Sequence, residues 1–447
     1  MITTEELYQL YKKHPVISTD TRKIAPGSIF FALKGDKFDA NTFAEQAIAA
    51  GAAYAVIDNP AYSLSEKFLL VDDVLTTLQD LARHHRRQLN IPVIGLTGTN
   101  GKTTTKELIN SVLLQHFNSY ATQGNLNNHI GVPLTILAID DTYQVAVIEM
   151  GANHQKEIEL LCTISQPTHG LITNVGKAHL EGFGGVEGVK KGKGELYDYL
   201  SRKVGKSGSP EEGIVFINSD DPVLMEMQYA RRLKNLVFYG SIDLENLVSG
   251  QLIENSPYLT LQWTNNTTGQ SYEVKSQLTG AYNLDNILAA ICIGVYFKLS
   301  PEEINAGIAG YQPKNNRSQI TTTATNTLIC DYYNANPSSM FVAIENIGKI
   351  KADHKVLVLG DMFEMGDESA AEHEAVIKKA LETPVDERIF IGGEFAARKA
   401  VGDGCGAVFY PSVEEAAAGL KAKPIKNATV LIKGSRGMAL ERLVELF

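Results

Sequence analysis

A chain of 447 residues, 44% hydrophobic and 21% charged, is long enough for about three domains with buried cores. Its net charge of −10 argues against nucleic acid or an acidic membrane as a partner of the whole surface. No run approaches the roughly 18 apolar residues of a membrane span, and the polar start MITTEELYQLYKK is no signal peptide. Four dispersed cysteines (Cys162, Cys292, Cys330, Cys405) with no C-x-x-C pair read as reduced thiols of a cytoplasmic protein.

In chain order, Gly27–Leu33 reads as a strand. Asn41 is the expected cap of a helix running through Phe43, Ala47 and Ile48 to Gly51, and Ala53–Asp58 reads as the next strand. A helical stretch with Leu78, Leu81 and His85 leads to a boundary at Ile91-Pro92. Pro92–Leu96 is a short apolar strand, and the helix after Lys102 carries Leu108, Ile109, Val112, Leu113 and Phe117 at helical spacing. Tyr143–Met150 and Gly170–Asn174 are two further buried-strand candidates. Short apolar strands alternating with helices predict an α/β fold with a mainly parallel, doubly wound sheet.

The Gly-, Ser- and Lys-rich Lys203–Gly213 predicts an exposed loop. Residues 246–280 turn polar and strand-like, with Tyr258–Trp263 alternating and Asn265-Asn266 marking a turn. A third α/β unit begins near Pro313, with strands at Thr327–Cys330, Lys355–Leu359, Arg388–Ile391 and Thr429–Ile432. The expected division is therefore 1–88, a small α/β domain; 89–312, a central doubly wound domain; and 313–447, a third α/β domain.

The stretch VIGLTGTNGKTTTK (Val93–Lys106) is the strongest chemical signal. It departs from G-x-x-x-x-G-K-[ST] because Leu96 stands where a glycine is usual. Gly98 and Gly101 still let the backbone turn its N–H groups toward phosphates, Lys102 can reach terminal phosphates, and Thr103 can offer its hydroxyl to Mg²⁺. Strand, glycines, lysine, threonines and helix follow in the order a phosphate loop needs. Glu149 ends the next apolar strand, where a carboxylate can hold Mg²⁺ beside that loop. In isolation it would read as a capping group. His179 follows a third strand, in TNVGKAHLE; a lone histidine is more often structural, yet three strand ends meeting at one phosphate site favour function. The chain has no N-K-x-D for guanine, and Gly182–Gly185 follows no strand in the register of a dinucleotide fingerprint.

TGTNGKTTTK, EMGANH (Glu149–His154) and NVGKAHLEGFG (Asn174–Gly184) resemble the Mur ligases, ATP-dependent amide-forming enzymes of peptidoglycan synthesis. QGNLNN (Gln123–Asn128) with IGVPLT (Ile130–Thr135) is similar to the branch adding D-alanyl-D-alanine. So are DYYNANP (Asp331–Pro337), LVLGDMFEMGDES (Leu357–Ser369) with His373, and LIKGSRGMALE (Leu431–Glu441). The match runs from Thr19-Asp20-Thr21-Arg22 to Arg436, so Leu96 belongs to this family's own spelling of the loop.

The resemblance implies that ATP and Mg²⁺ bind the central domain through Gly98, Thr99, Asn100, Gly101, Lys102, Thr103 and Thr104, with Asn283, Asn286, Arg317 and Asp331 also at the nucleotide. It implies catalytic or metal roles for Lys102, Thr103, Glu149, His179 and Lys193, the last carried as a carbamate. From the residues alone Lys190, Lys191 and Lys193 read as a solvated basic face. Asp20, Thr21 and Arg22 would hold the UDP end of a UDP-N-acetylmuramoyl-tripeptide, Asn127 and Asn128 would be substrate residues, and Asn334, Asn336, Ser435 and Arg436 of the Rossmann-like third domain would take the incoming D-alanyl-D-alanine. Tyr282, in LTGAYNLDN, stands where relatives usually have histidine. The expected state is a monomer with small-molecule partners only. Rival readings are the family branch adding a diamino acid, whose D-N-P-R stretch is missing from the third domain here, a folylpolyglutamate synthase, and a non-catalytic nucleotide-binding module.

Overall fold

The computed structural model describes residues 1–202, 213–241, 245–314 and 316–447, and it places three main sheets in succession along the chain, besides a two-stranded ribbon of Lys34–Gly35 and Phe38–Asp39. The loop expected over 203–213 lies, Gly213 apart, outside the described residues. Among the described residues no helix is long and apolar enough to cross a membrane.

The N-terminal unit is a parallel four-stranded sheet, in the order Ile17–Ser18, Ile29–Phe31, Tyr54–Ile57 and Phe68–Leu70. Asn41 does not cap a helix, contrary to the sequence expectation. Asp39 caps a 3₁₀ turn (Ala40–Phe43) by accepting the Asn41 N–H, and the helix Ala44–Ala49 follows. The Asn41 amide is buried and donates to Asp39 and Asp58, at 2.7 and 2.8 Å. Two Asx residues two positions apart compete for one cap; Asp39 takes it, and Asn41 ties the turn to the next strand end.

The helix Val74–Gln88, capped by Asp73, buries Leu78, Leu81 and His85 as its periodicity predicts. It is a weld between units, not a free linker. The buried Arg86 guanidinium donates to the carbonyls of Ser165 (2.9 Å), Gln166 (3.0 Å) and Leu89 (3.0 Å), and His85 Nε2 lies 2.7 Å from Ile139 O. Burial pushes the Arg86 pKa down to about 10, so these carbonyls are the partners that make its burial tolerable.

The central sheet has nine strands. Ser119–Ala121, Val145–Glu149, Val93–Thr97, His169–Ile172, Ile214–Asn218, Leu236–Gly240 and Val248–Asn255 run parallel in that order, and the antiparallel Leu259–Asn265 and Gln270–Lys275 extend the far edge. Alternate side chains feed two cores: Ala146 and Ile148 face one, Val145 and Val147 the other. Helices Lys102–Leu113 and Leu284–Tyr296 cover one face, and Glu157–Ser165 and Val186–Ser201 the other. This is the doubly wound sheet expected.

The C-terminal sheet has six strands in the order Gln319–Thr322, Thr327–Asp331, Thr429–Lys433, Lys355–Gly360, Glu387–Ile391 and Ala407–Tyr410, all parallel but the first. The sequence expectation omits both edge strands, the first, whose alternation is polar (QITT), and the last, Ala407–Tyr410. Register sets the site. Leu96 pairs with Glu149 and Thr97 with Ile172, so three central strands end side by side. Asp331 likewise pairs with Lys433 in the C-terminal sheet.

Candidate functional site

Thr97 ends its strand against the neighbouring Ile172, and the chain must turn sharply to begin the next helix. Gly98, at φ +147°, passes so close to Thr173 that an added Cβ would lie 2.0 Å from its Oγ1. Gly101 takes φ +78° at the helix N-cap, where a Cβ would meet Asn286 Oδ1 at 2.6 Å. Both positions need glycine for conformation and for space together. The loop is stitched to the adjacent strand end: Asn100 N–H donates to Asn174 Oδ1 (3.0 Å), and Asn100 O accepts from Thr173 Oγ1 (2.6 Å). Its anion-facing backbone is thus held before a ligand arrives.

A cleft of about 900 Å³ opens beside the loop, bounded by the central unit on one bank and the C-terminal unit on the other. Its lining contains Thr99, Asn100, Gly101, Lys102, Thr103, Thr104, Asn127, Asn128, Glu149, His179, Asn283, Asn286, Arg317, Asp331, Asn334 and Asn336. Gly98 lies behind the loop. Ser435 and Arg436 flank the cleft without lining it, and Lys193 is set behind its wall. Asp20, Thr21 and Arg22 stand outside it on the N-terminal unit, where Arg22 forks onto Asp20 at 2.9 and 2.8 Å. That ion pair holds the Asp20 carboxyl down to about 2.

Lys102 folds back on its own loop, donating to Gly98 O (2.8 Å) and Thr99 O (3.1 Å). Desolvation lowers its pKa to about 8. Glu149 is almost wholly buried. Its Oε1 accepts from Asn127 Nδ2 (2.9 Å) and Thr103 Oγ1 (3.3 Å), whereas its buried Oε2 has no partner among the described residues. A buried carboxylate oxygen left unpaired beside a phosphate loop is the donor a hard divalent cation takes, and Thr103 adds a hydroxyl next to it. The residues therefore fit Mg²⁺. No three His, Cys, Asp or Glu side chains among the described residues form a metal cage of their own. That suits a cation that draws the rest of its ligands from phosphates and water.

His179 takes a left-handed conformation (φ +50°), and its Nδ1 is bonded to Glu364 of the C-terminal unit. Burial lowers the imidazole pKa, against the opposing pull of that carboxylate. Lys193 is not part of a solvated face. One hundred degrees per residue puts it opposite Lys191, and it is 2% exposed, with Nζ 3.2 Å from Ala152 O and 5.1 Å from the Phe183 ring centroid. Gly192 and Gly194 allow that packing, since a Cβ there would lie 2.4 Å from Phe183 or 2.2 Å from Arg231. Desolvation drives the Lys193 pKa well below the ordinary lysine value, which favours a neutral amine.

On the opposite bank, Asp331 joins two strands and a loop. Its Oδ2 accepts from Lys433 Nζ (2.7 Å) and its Oδ1 from the Ser318 N–H (3.2 Å); Ser318 Oγ lies 2.7 Å from the Tyr282 hydroxyl. Burial raises the Tyr282 pKa, keeping the phenol protonated. Asn286 accepts from Thr105 Oγ1 (2.9 Å) and donates to Asn283, so both asparagines brace the phosphate helix from behind. Asn336 caps the helix Pro337–Lys349 and also donates to Asn100 Oδ1 at 2.8 Å, bringing the C-terminal unit onto the loop itself. Asn128 caps the turn into Gly131–Leu137. Ser435 Oγ accepts the Phe363 N–H. His373 fixes the same Asp361–Met365 loop by accepting the Met362 N–H.

Lys433, Glu364 and Tyr333 are among the cleft residues that the sequence did not mark as functional. Lys433 carried a signal, a lysine ending the apolar strand TVLIK. Glu364 and Tyr333 carried none apart from the motifs holding them.

A phosphate loop facing a second α/β unit across a polar cleft, with an unpaired carboxylate oxygen between, defines a nucleotide-triphosphate-dependent enzyme. Three family models match in sequence: "Mur ligase family, catalytic domain" over 15–86, "Mur ligase middle domain" over 96–294, and "Mur ligase, glutamate ligase domain" over 316–436. The UDP-N-acetylmuramoyl-tripeptide–D-alanyl-D-alanine ligase of Escherichia coli K12 is 35% identical over 436 residues, covering 96% of this chain and 92% of that protein. Among solved structures, MurF from Acinetobacter baumannii superposes with a TM-score of 0.85 at 31% identity, covering 96% of this chain and 92% of that one. MurF ligase from Thermotoga maritima in complex with ADP gives 0.83 at 26% identity, covering 97% and 96%. The chain belongs to the Mur ligase family, and it is an ATP-dependent ligase.

Proposed function

We propose that this enzyme joins D-alanyl-D-alanine to UDP-N-acetylmuramoyl-tripeptide at the expense of ATP, in cytoplasmic synthesis of a peptidoglycan precursor. The carrying observation is the single cleft in which the phosphate loop and Glu149 face Asp331, Asn334 and Lys433 of the other unit. Similarity over nearly the whole chain to ligases of this specificity supports the pair of substrates. In this reading residues 1–88 hold the UDP end through Asp20, Thr21 and Arg22, 89–312 bind ATP, and 313–447 bring the dipeptide. The enzyme acts as a monomer.

A carboxylate is a poor electrophile and hydroxide a poor leaving group, so amide formation in water needs activation. The tripeptide carboxylate attacks the γ-phosphorus of ATP; an acyl O–P bond forms, the bond to the bridging oxygen breaks, and ADP leaves. The dipeptide amine then attacks the acyl carbon. A C–N bond forms, the C–O bond to phosphate breaks, the amine loses a proton, and inorganic phosphate departs. Lys102 exchanges the Gly98 and Thr99 carbonyls for phosphate oxygens, and the loop N–H groups stabilise the transferring charge without reorganising. Glu149 and Thr103 would hold Mg²⁺, which when bound would supply positive charge to offset the repulsion between phosphates and carboxylate.

Glu364 orients the His179 ring toward this site, and the neutral Lys193 amine is the form that takes up carbon dioxide to become a carbamate. Asn127 holds one oxygen of Glu149, which leaves the other free. Asn334 and Asn336 stand where the dipeptide enters, and Arg436 offers its carboxylate a fork. Contacts of Asn336 with Asn100 and of Ser338 with Lys177 close the C-terminal unit over the loop, limiting the access of water to the acyl phosphate.

The test is phosphate release from ATP and Mg²⁺ with UDP-N-acetylmuramoyl-tripeptide, with and without D-alanyl-D-alanine, and the product mass. Release that needs both substrates, with a product heavier by the joined dipeptide, is the expected result. Release that instead requires the muramoyl-dipeptide and a diamino acid would leave the family intact and overturn this choice of substrates.

A further inference from the structure

Tyr333 sits in the cleft at the end of the strand Thr327–Asp331, between two arginines from different parts of the chain. The Arg317 guanidinium carbon lies 4.0 Å from its ring centroid and that of Arg436 lies 5.0 Å from the same centroid. Arg436 Nη1 also donates to the Tyr333 hydroxyl at 3.2 Å. The Tyr333 N–H donates to Asn316 O at 3.3 Å, which ties the ring's own backbone to the segment carrying Arg317. The Arg317 Nε is buried and without a partner among the described residues. Two like charges on one ring are held there by the negative face of its π-system, and each keeps donors free for an anion.

We propose that Tyr333 is a positioning residue that seats Arg317 and Arg436 together, and so aligns the phosphate end of the cleft with the end that receives the dipeptide carboxylate. The proposal rests on the reading of substrates given above. Arginine is flexible, and fixing its fork before a ligand arrives removes part of the ordering cost of binding. One ring does this for both forks. Neither arginine forms an ion pair with a carboxylate among the described residues, so the ring, together with its hydroxyl for Arg436, is what holds the forks in place.

The two halves of the contact separate by substitution. Tyr333→Phe keeps the ring and removes the hydroxyl, so KM for ATP is expected to stay within about twofold while KM for D-alanyl-D-alanine rises about threefold. Tyr333→Leu removes the ring, and both KM values are expected to rise about five- to tenfold with a smaller change in kcat. Steady-state kinetics on the full chain, with each substrate varied in turn, reads both. A Leu variant that unfolds at the wild-type temperature and keeps both wild-type KM values overturns the proposal. So does one in which kcat alone falls. If the Leu variant does not fold, the Phe variant carries the test, and an unchanged dipeptide KM overturns it. Wild-type enzyme that ignores the dipeptide altogether would instead overturn the choice of substrates, which is a different result in the same assay.

Discussion

The central sheet has two ends, and they are built for opposite purposes. At the carboxyl ends of Val93–Thr97, Val145–Glu149 and His169–Ile172 stand glycines at positive φ, a folded-back lysine and a carboxylate with an unpaired buried oxygen. At the amino end of His169–Ile172 the same strand begins among aromatic rings: His169 lies 5.5 Å from Tyr296 and 5.4 Å from Phe297, ring centroid to centroid. One end keeps polar groups unsatisfied for a ligand; at the other, His169 is held by ring packing and by Thr168 Oγ1, 2.8 Å from its Nδ1. Stability and function are therefore separable along a single strand.

The largest effects belong to the carboxyl end. Lys102→Ala and Lys193→Ala are each expected to lower kcat/KM at least a hundredfold, to the limit of detection in a phosphate-release assay. Full activity in either variant would remove its assigned role. Because Lys102 is bonded only to its own loop, its variant should melt near the wild-type temperature, whereas the buried Lys193 should lose some stability as well.

Lys433→Met tests whether the C-terminal bank is built differently from the central one. Lys433 is 2% exposed and paired with Asp331, so removing it strands a partly buried carboxylate, at a cost of about 3 kcal/mol. Chemical denaturation should show that loss, and the double variant Lys433→Met, Asp331→Asn should recover most of it. A single variant as stable as wild type would mean the pair is solvated. Gly101→Ala is smaller, about 2 kcal/mol, because it combines a left-handed conformation with a Cβ 2.6 Å from Asn286 Oδ1. Its ATP KM should rise by more than its dipeptide KM; an equal rise would show that the damage is not confined to the loop.

How far the sequence revealed this depended on whether a feature is local. The α/β order, the parallel sheet and the converging Lys102, Glu149 and His179 follow from strand ends and glycine turns, which short stretches specify. Asn41 was misread because two candidate caps lie two residues apart and only the fold shows which N–H reaches which oxygen. Lys193 looked like part of a charged face, since nothing in GVKKGKGE reveals that the helix turns that one lysine inward. Glu364 and Tyr333 were invisible for a further reason: their partners, His179 and the two arginines, come from segments roughly 185, 16 and 103 residues away, and packing alone brings them together.

The smallest effect belongs to the amino end and depends on pH. Burial pushes the His169 pKa down to about 4 from the ordinary 6.5, so the native state holds this ring neutral. Below about pH 6.5 the unfolded chain takes a proton that the folded chain refuses. Stability is thus fully present above that pH and is lost progressively as pH falls toward 4. The ring is partly reached by solvent, which reduces the effect to about 1–2 kcal/mol across that window. His85, also lowered by burial, adds a slope of the same sign, so the wild-type curve alone cannot separate the two. His169→Phe can. Urea midpoints measured at pH 7.5, 6 and 5 should converge with, or fall below, those of the variant as pH drops, while kcat and both KM values at pH 7.5 stay within twofold of wild type. Parallel loss in the two proteins would assign the acid sensitivity elsewhere, and altered kinetics at pH 7.5 would show that the two ends of the sheet are not independent.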